Sequence, residues 1–237
     1  MAPALVRRIL GAALRGAPPR DLLDHRARDQ ARPPEGPLEA GRHIVFDLET
    51  TGLRPSHGDA IVAIGAVAIE AGLVAEEFLL LAHPGRRIPV AASRHHGITD
   101  ADVAGAPPIA EAVARFRDFC GGARLLVAHN AAFDRTALYM AELRDRAPPV
   151  LAPILCSLLA ARWLDPGVDD HALDAACARH GVEAPAQRHD ALSDARATAA
   201  LWRRLLDRAR LRGVASPAEL ARRAGMERAM LEQMERF

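Results

Sequence analysis

An α/β domain built on a mixed sheet is the fold class that this chain predicts. Three observations carry the prediction. Strand-like apolar runs come first in succession, around 44–46, 60–69 and 73–82. Strand-like and helical stretches then alternate to about residue 212, the pattern of a sheet covered by helices. Half of the residues are apolar, enough for a real core, and 237 residues hold one good-sized domain with appendages. The expected division is an N-terminal helical or flexible extension over 1–41, the main domain over 42–212 and a C-terminal helix over 213–237.

In order, Leu5, Val6, Ile9, Leu10, Ala13 and Leu14 recur at helical spacing and predict an amphipathic helix over 4–15, ended by Ala17-Pro18-Pro19. A second short helix is expected over 21–30, before Arg32-Pro33-Pro34-Glu35-Gly36-Pro37 breaks the chain. Ile44, Val45 and Phe46 form a β-branched and aromatic run closed by Thr50-Thr51-Gly52, a buried strand entering a turn. Residues 60–69 give a second strand, Gly72 a hairpin turn and residues 73–82 the returning strand. His95-His96-Gly97-Ile98-Thr99-Asp100 reads as a loop before a short helix. Pro107-Pro108 starts a helix over 109–120, with Ala112, Val113, Phe116 and Phe119 on one face.

Residues 125–128 are a strand and 131–143 a helix; 153–156 are a brief strand and 157–163 a helix. A helix over 171–180 stops at Gly181. A long one over 189–212 buries Leu192, Ala195, Ala199, Trp202, Leu205 and Leu206. Ser216-Pro217-Ala218-Glu219 is a capping box with Pro at the first helical position. It predicts a helix to about Glu235, with Leu220, Ala224, Met230 and Leu231 as its apolar side.

A formal charge of +1 excludes a polybasic nucleic-acid coat, and every basic residue is Arg rather than Lys. Cys120, Cys156 and Cys177 are odd in number, widely spaced and set among apolar residues. They predict buried thiols in a reducing compartment rather than a disulfide framework or a zinc site. No apolar run approaches the ~20 residues needed to cross a bilayer. The arginine-interrupted N-terminus does not read as a secretory signal. A soluble, cytoplasmic protein is expected.

The chemistry begins at Asp47 and Glu49, two apart at the end of the first strand. Side chains alternate along a strand, so both carboxylates project to one side and Leu48 to the other. Adjacent acids repel and are costly to bury unpaired, and a hard divalent cation such as Mg²⁺ or Mn²⁺ resolves both problems. A lone Asp-x-Glu reads more simply as a solvated acid pair; here two further stretches supply the missing ligands. One is His129-Asn130-Ala131-Ala132-Phe133-Asp134, at a strand-to-helix turn, which puts Asp134 in the first turn of a helix. The other is His189-Asp190-Ala191-Leu192-Ser193-Asp194, with His189 at the mouth of the long helix and Asp194 inside it. Asp190 is a candidate helix cap.

Asp47-x-Glu49-Thr50-Thr51-Gly52-Leu53, His129-Asn130-x-x-Phe133-Asp134 and His189-x-Ala191-Leu192-x-Asp194 together resemble the three exonuclease motifs of the DnaQ-like, DEDDh-type 3′–5′ exonucleases. That family includes the proofreading ε subunit of bacterial DNA polymerase III. The resemblance covers about 42–212 and includes the loop at His96-Gly97-Ile98-Thr99. It implies an RNase H-like fold with a five-stranded mixed sheet. It also implies a metal-dependent 3′–5′ exonuclease acting on DNA by a two-metal mechanism, in proofreading or repair.

By that resemblance Asp47, Glu49, Asp134 and Asp194 are the ligands of two Mg²⁺ or Mn²⁺ ions, with Asp47 bridging them. Glu49 and Asp194 hold the ion that activates water, Asp134 helps to hold the other, and His189 is the base. Thr50, Thr51 and Leu53 match residues that hold and wedge the terminal nucleotide; His96 and Asn130 are candidate second contacts. Arg54, Arg86, Arg87, Arg94 and Arg135 are available to a single-stranded 3′ end. A polymerase is a candidate partner, and Gln233-Met234-Glu235-Arg236-Phe237 resembles a sliding-clamp peptide except at Arg236. Two alternatives stay open: an RNA exonuclease of the oligoribonuclease or ribonuclease T kind, and a silent binding module on the same fold.

Overall fold

The computed structural model describes residues 32–185 and 187–237, so the two helices expected within 4–30 lie outside the described residues. The centre of the molecule is β1 (Arg42–Thr50), almost wholly buried because both of its faces are covered. A short 3₁₀ turn, Pro55–His57, leads to β2 (Ile61–Glu70), which turns back into β3 (Leu73–Leu81). β4 (Ala123–Ala128) and β5 (Ile154–Cys156) complete a five-stranded sheet in the order β3-β2-β1-β4-β5. β1, β2 and β3 pair antiparallel, whereas β4 runs parallel to β1 and β5 parallel to β4. The sheet is mixed and five-stranded, as expected. Connections to the parallel strands run through helices, since a parallel neighbour needs a crossover.

Those helices are α1 (Val90–His96), α2 (Asp100–Val103) and α3 (Ile109–Phe119) before β4 and α4 (Ala132–Asp145) before β5; α5 (Ser157–Leu164), α6 (Leu173–Arg179) and α7 (Ala191–Leu211) come after the last strand. α8 (Pro217–Arg223) and α9 (Met226–Met234) follow. Alternation along β1 decides what each face meets. Phe46 packs against Phe116 of α3, ring centroids 5.3 Å apart and planes tilted by 43°, on one face. Asp47 projects to the other, where α7 lies across β1 and β2. Trp202, at the heart of α7, is fully buried and donates its indole N–H to His43 Nδ1 at 3.4 Å. All three cysteines are buried free thiols, as expected. Among the described residues no helix is long and apolar enough to cross a membrane.

Gly65 on β2 sits opposite Asp47 in the register. A β-carbon built there would lie 2.2 Å from the carbonyl carbon of Ala191, so the first turn of α7 rests directly on the glycine. The clash is with backbone, which no rotamer change relieves. We expect Gly65→Ala to lower stability by about 1–3 kcal/mol or more, a fall of several degrees in the thermal midpoint read by calorimetry. A midpoint equal to wild type would show that α7 does not need this contact.

Four expectations change. The loop expected over 95–100 is shorter, 97–99, because His95 and His96 occupy the last turn of α1, which has Pro89 at its N-cap and is ended by Gly97 at φ 77°. α7 starts at Ala191, because His189 adopts φ 59° and Asp190 is the cap, accepting from the Ser193 N–H at 2.8 Å. Leu192 on that helix is only half-buried. The C-terminal helix is two helices, since Gly225 at φ 59° breaks the run after the capping box.

Candidate active site

β1 carries its two acids to the C-terminal end of the sheet, where they face a cleft of about 570 Å³. β1 and β4 are paired as far as Val45 and Val127 and then diverge. The Leu48 N–H, left without a partner on β4, donates to Asp134 Oδ1 at 3.2 Å. The first and second motifs are therefore joined by a hydrogen bond that completes the sheet edge. Asn130, at φ 67°, makes the corner between β4 and α4, a backbone conformation that Asn tolerates better than most residues. That corner sets Asp134 in the first turn of α4.

The third motif arrives from the opposite side. His189 holds an unusual left-handed conformation, and its N–H donates to Asp194 Oδ2 at 3.2 Å. Its ring stacks on His95 of α1, centroids 3.5 Å apart and planes 30° apart. Ligand atoms of Glu49, His189 and Asp194 lie within 4.8 Å of one another. Asp47, Glu49, Asp134, His189 and Asp194 thus line a single cleft.

The electrostatics show how unfavourable this cluster is without a counter-ion. Asp47 keeps a window to the cleft, yet burial, Asp134, Glu49 and Asp194 hold its carboxyl well above the usual range. Burial, with Asp194 and Asp134 adding repulsion, pushes Glu49 up to about 8. Burial pushes Asp134 up to about 7. Asp194 is raised by burial against the opposing pull of Arg188. His189 is lowered by burial and by His95, which favours the neutral ring.

Asp194 Oδ1 is buried with no hydrogen-bond partner. An orphaned carboxylate oxygen among four acids is the environment that a divalent cation satisfies, and the all-oxygen donor set suits a hard one. The residues present fit a metal.

Thr50, Thr51, Leu53, His96, Asn130 and His129 also border the cleft, in differing roles. The Thr50 hydroxyl donates to Gly52 O at 2.6 Å, and Thr51 Oγ accepts from the Ala60 N–H at 3.0 Å, so both hydroxyls are engaged in shaping the loop. Leu53 stands at the rim, 72% exposed. His96 is buried, its Nδ1 accepting from the Ile98 N–H at 3.1 Å. His129 is held neutral by burial, its pKa pushed down to about 4. Its ring joins Ser157 Oγ and His171 O, each at 2.9 Å. Arg54, Arg86, Arg87 and Arg94 are exposed, but Arg135 is 3% exposed and leaves the set of phosphate-contact candidates.

Sequence reasoning missed three occupants. Arg188, adjacent to His189 in sequence, pairs with Asp194 at 3.1 Å and Asp174 at 3.0 Å and brings a positive charge to the acids. His95 is the second. Phe237 is the third: it lines the cleft although no local pattern connects it to the motifs. The segment that resembled a clamp peptide is folded here, with Met234 buried against Ala132 and Phe237 beside Phe133.

A family model described as Exonuclease matches residues 44–202, which takes in all three motifs. A DNA polymerase III subunit epsilon-like protein of Rhodobacter capsulatus is 45% identical over 186 residues, 76% of this chain and 26% of that protein. The PolC-type DNA polymerase III of Bacillus subtilis is 32% identical over 193 residues, 81% of this chain and 13% of the polymerase. The chain therefore spans about a quarter or less of the length of these two relatives. Exonuclease X, solved in complex with 5′ overhanging duplex DNA, is 31% identical with a TM-score of 0.60; the match covers 78% of this chain and 99% of that one.

Proposed function

The chain belongs to the exonuclease family, and from that premise we propose that it is a divalent-metal-dependent 3′–5′ exonuclease acting on single-stranded ends of DNA. The observation that carries the reading is the cleft itself, where four acids and one imidazole meet around an unpartnered carboxylate oxygen. Asp47, Glu49, Asp134 and Asp194 would hold two ions, Mg²⁺ or Mn²⁺. Bound there, such ions would supply charge to offset the phosphodiester and would make a water acidic enough to act as a nucleophile at neutral pH.

The chain's own residues do the rest. His189, kept neutral by its surroundings and set in place by the His95 stack, accepts the proton of the attacking water. Leu53 would wedge beneath the terminal base, a role its exposure at the rim supports. Thr50 and Thr51 would contact the terminal nucleotide through backbone groups, since their hydroxyls are engaged. Asn130 and His96 line the same space. Arg54, Arg86, Arg87 and Arg94 supply salt-sensitive contacts to the phosphates beyond it. The names of the relatives, epsilon-like and PolC-type, support work beside a DNA polymerase in proofreading or repair.

The test uses DNA and RNA oligonucleotides of one sequence, labelled at either end, with Mg²⁺ or Mn²⁺. The 5′-labelled DNA should shorten as a ladder, while 3′-labelled DNA should release its label first as a mononucleotide, and a chelator should stop both. Faster shortening of RNA would replace the substrate assignment. Metal binding without turnover of either polymer would leave a silent module.

A further inference from the structure

Phe237 reaches the cleft from outside the residues that match the family. Its position is held at three points. The Ser56 N–H donates to the Phe237 main-chain oxygen at 3.1 Å, and the Ser56 hydroxyl donates to the same oxygen. The ring meets Phe133 edge-to-face, centroids 5.3 Å apart and planes at 79°. Met234 anchors the preceding helix on Ala132, at the start of α4. These anchors lie on the two segments that frame the site: the loop over 51–60, which bears Leu53, and the helix that bears Asp134. The ring is only half-buried, so part of it stays open to the cleft. With Phe237 in place the cleft still measures about 570 Å³, room enough for a small-molecule ligand the size of a nucleotide.

Resting on the exonuclease reading above, we propose that Phe237 is a stacking wall for a base near the 3′ end of the single strand. Every nucleobase has a π face, so an aromatic wall grips a strand without selecting its sequence, as an enzyme that removes nucleotides one after another requires. Leu53 at the rim and the exposed arginines supply an apolar edge and charge. Phe133 is half-buried and edge-to-face with Phe237, so the two rings present one aromatic corner to the entering strand.

The test compares wild type with Phe237→Leu, which keeps apolar bulk without a π face, and with Phe237→Trp. Substrates are DNA oligonucleotides that are intact or carry one abasic nucleotide at each of the last four positions. Wild type should show a KM about tenfold higher for the abasic substrate at one position. Phe237→Leu should raise KM for intact DNA about tenfold with kcat within twofold, and should treat that abasic position as intact; Phe237→Trp should restore both properties. A 2-aminopurine placed at the same position should be quenched on binding to wild type and not to Phe237→Leu. Unchanged KM and unchanged abasic discrimination in Phe237→Leu, with wild type degrading DNA, would overturn the wall alone. A faster or tighter-binding Phe237→Leu would make the ring a plug instead. Wild type that shortens no oligonucleotide would remove the exonuclease reading and this one with it.

Discussion

Asp47→Asn should abolish nuclease activity and at the same time raise the thermal midpoint of the metal-free protein. Asp47 sits among Glu49, Asp134 and Asp194, and the mutual repulsion of these buried acids is a standing cost to the fold. Removing one charge while keeping the side chain's shape relieves part of it. A gain of about 2 kcal/mol would raise the midpoint by roughly 4–8 °C in a domain of this size. The same change removes a metal ligand, and losing several kcal/mol of transition-state stabilisation slows turnover by about 10³-fold or more.

The pH dependence has a definite sign. Glu49 has an ordinary value of 4.5 and is raised to about 8 in the folded state, and Asp134 moves from 3.8 to about 7. Between those values the folded protein holds protons that the unfolded chain has released. The stability these groups contribute is therefore complete at low pH and is lost as pH climbs through about 7–8. The metal-free protein should melt lower at pH 8 than at pH 5, and the decline should be shallower in Asp47→Asn. Added Mn²⁺ should reverse the trend, since metal binds the deprotonated acids. At one hundred times its dissociation constant a bound ion contributes about 2.7 kcal/mol. Scanning calorimetry at both pH values, with and without Mn²⁺, checks all of this. A variant that melts lower than wild type without metal would show that Asp47 is not under repulsive load.

His189→Ala should slow turnover by about 10²–10⁴-fold while KM stays near the wild-type value, the signature of a lost proton acceptor rather than a lost binding contact. Its pKa lies below the ordinary 6.5, lowered first by burial and then by His95, so the ring is neutral at pH 7 and active without adjustment. Wild-type activity should consequently fall on the acid side, below pH 6.5. Two causes contribute to that limb, and metal concentration separates them. Release of metal by protonated carboxylates moves to lower pH when Mn²⁺ is raised tenfold, whereas titration of the imidazole does not. The metal-independent part of the limb should vanish in His189→Ala, and free imidazole should restore part of the rate. Full rate in the variant with an unchanged profile would remove His189 from the mechanism.

The motif residues are legible because three short motifs together resemble one family, whereas each alone is a common pattern. Asp47 and Glu49 share a face through the two-residue period of a strand, and Asp134 follows a strand-to-helix turn. The left-handed conformations of Asn130 and His189, at the corners that aim these acids, were not foreseen. Nor was α1: the His95-His96-Gly97 run gives a loop signal, yet Gly97 ends a helix that starts at Val90. Apolar spacing continues across Gly225 and predicts one C-terminal helix, which the conformation of that glycine nevertheless breaks.

Short-range periodicity predicts the mixed sheet and the order of its strands, and the three motifs mark the acids. Long-range packing brought Asp134 onto Leu48 and α7 onto Gly65 opposite Asp47, and set Arg188 and His95 beside the acids. It also decided that Phe237 would meet Ser56, a partner 181 residues away. The physical reason is that such contacts form only when distant segments pack against one another, and no repeat within a single segment encodes which distant surface it will meet.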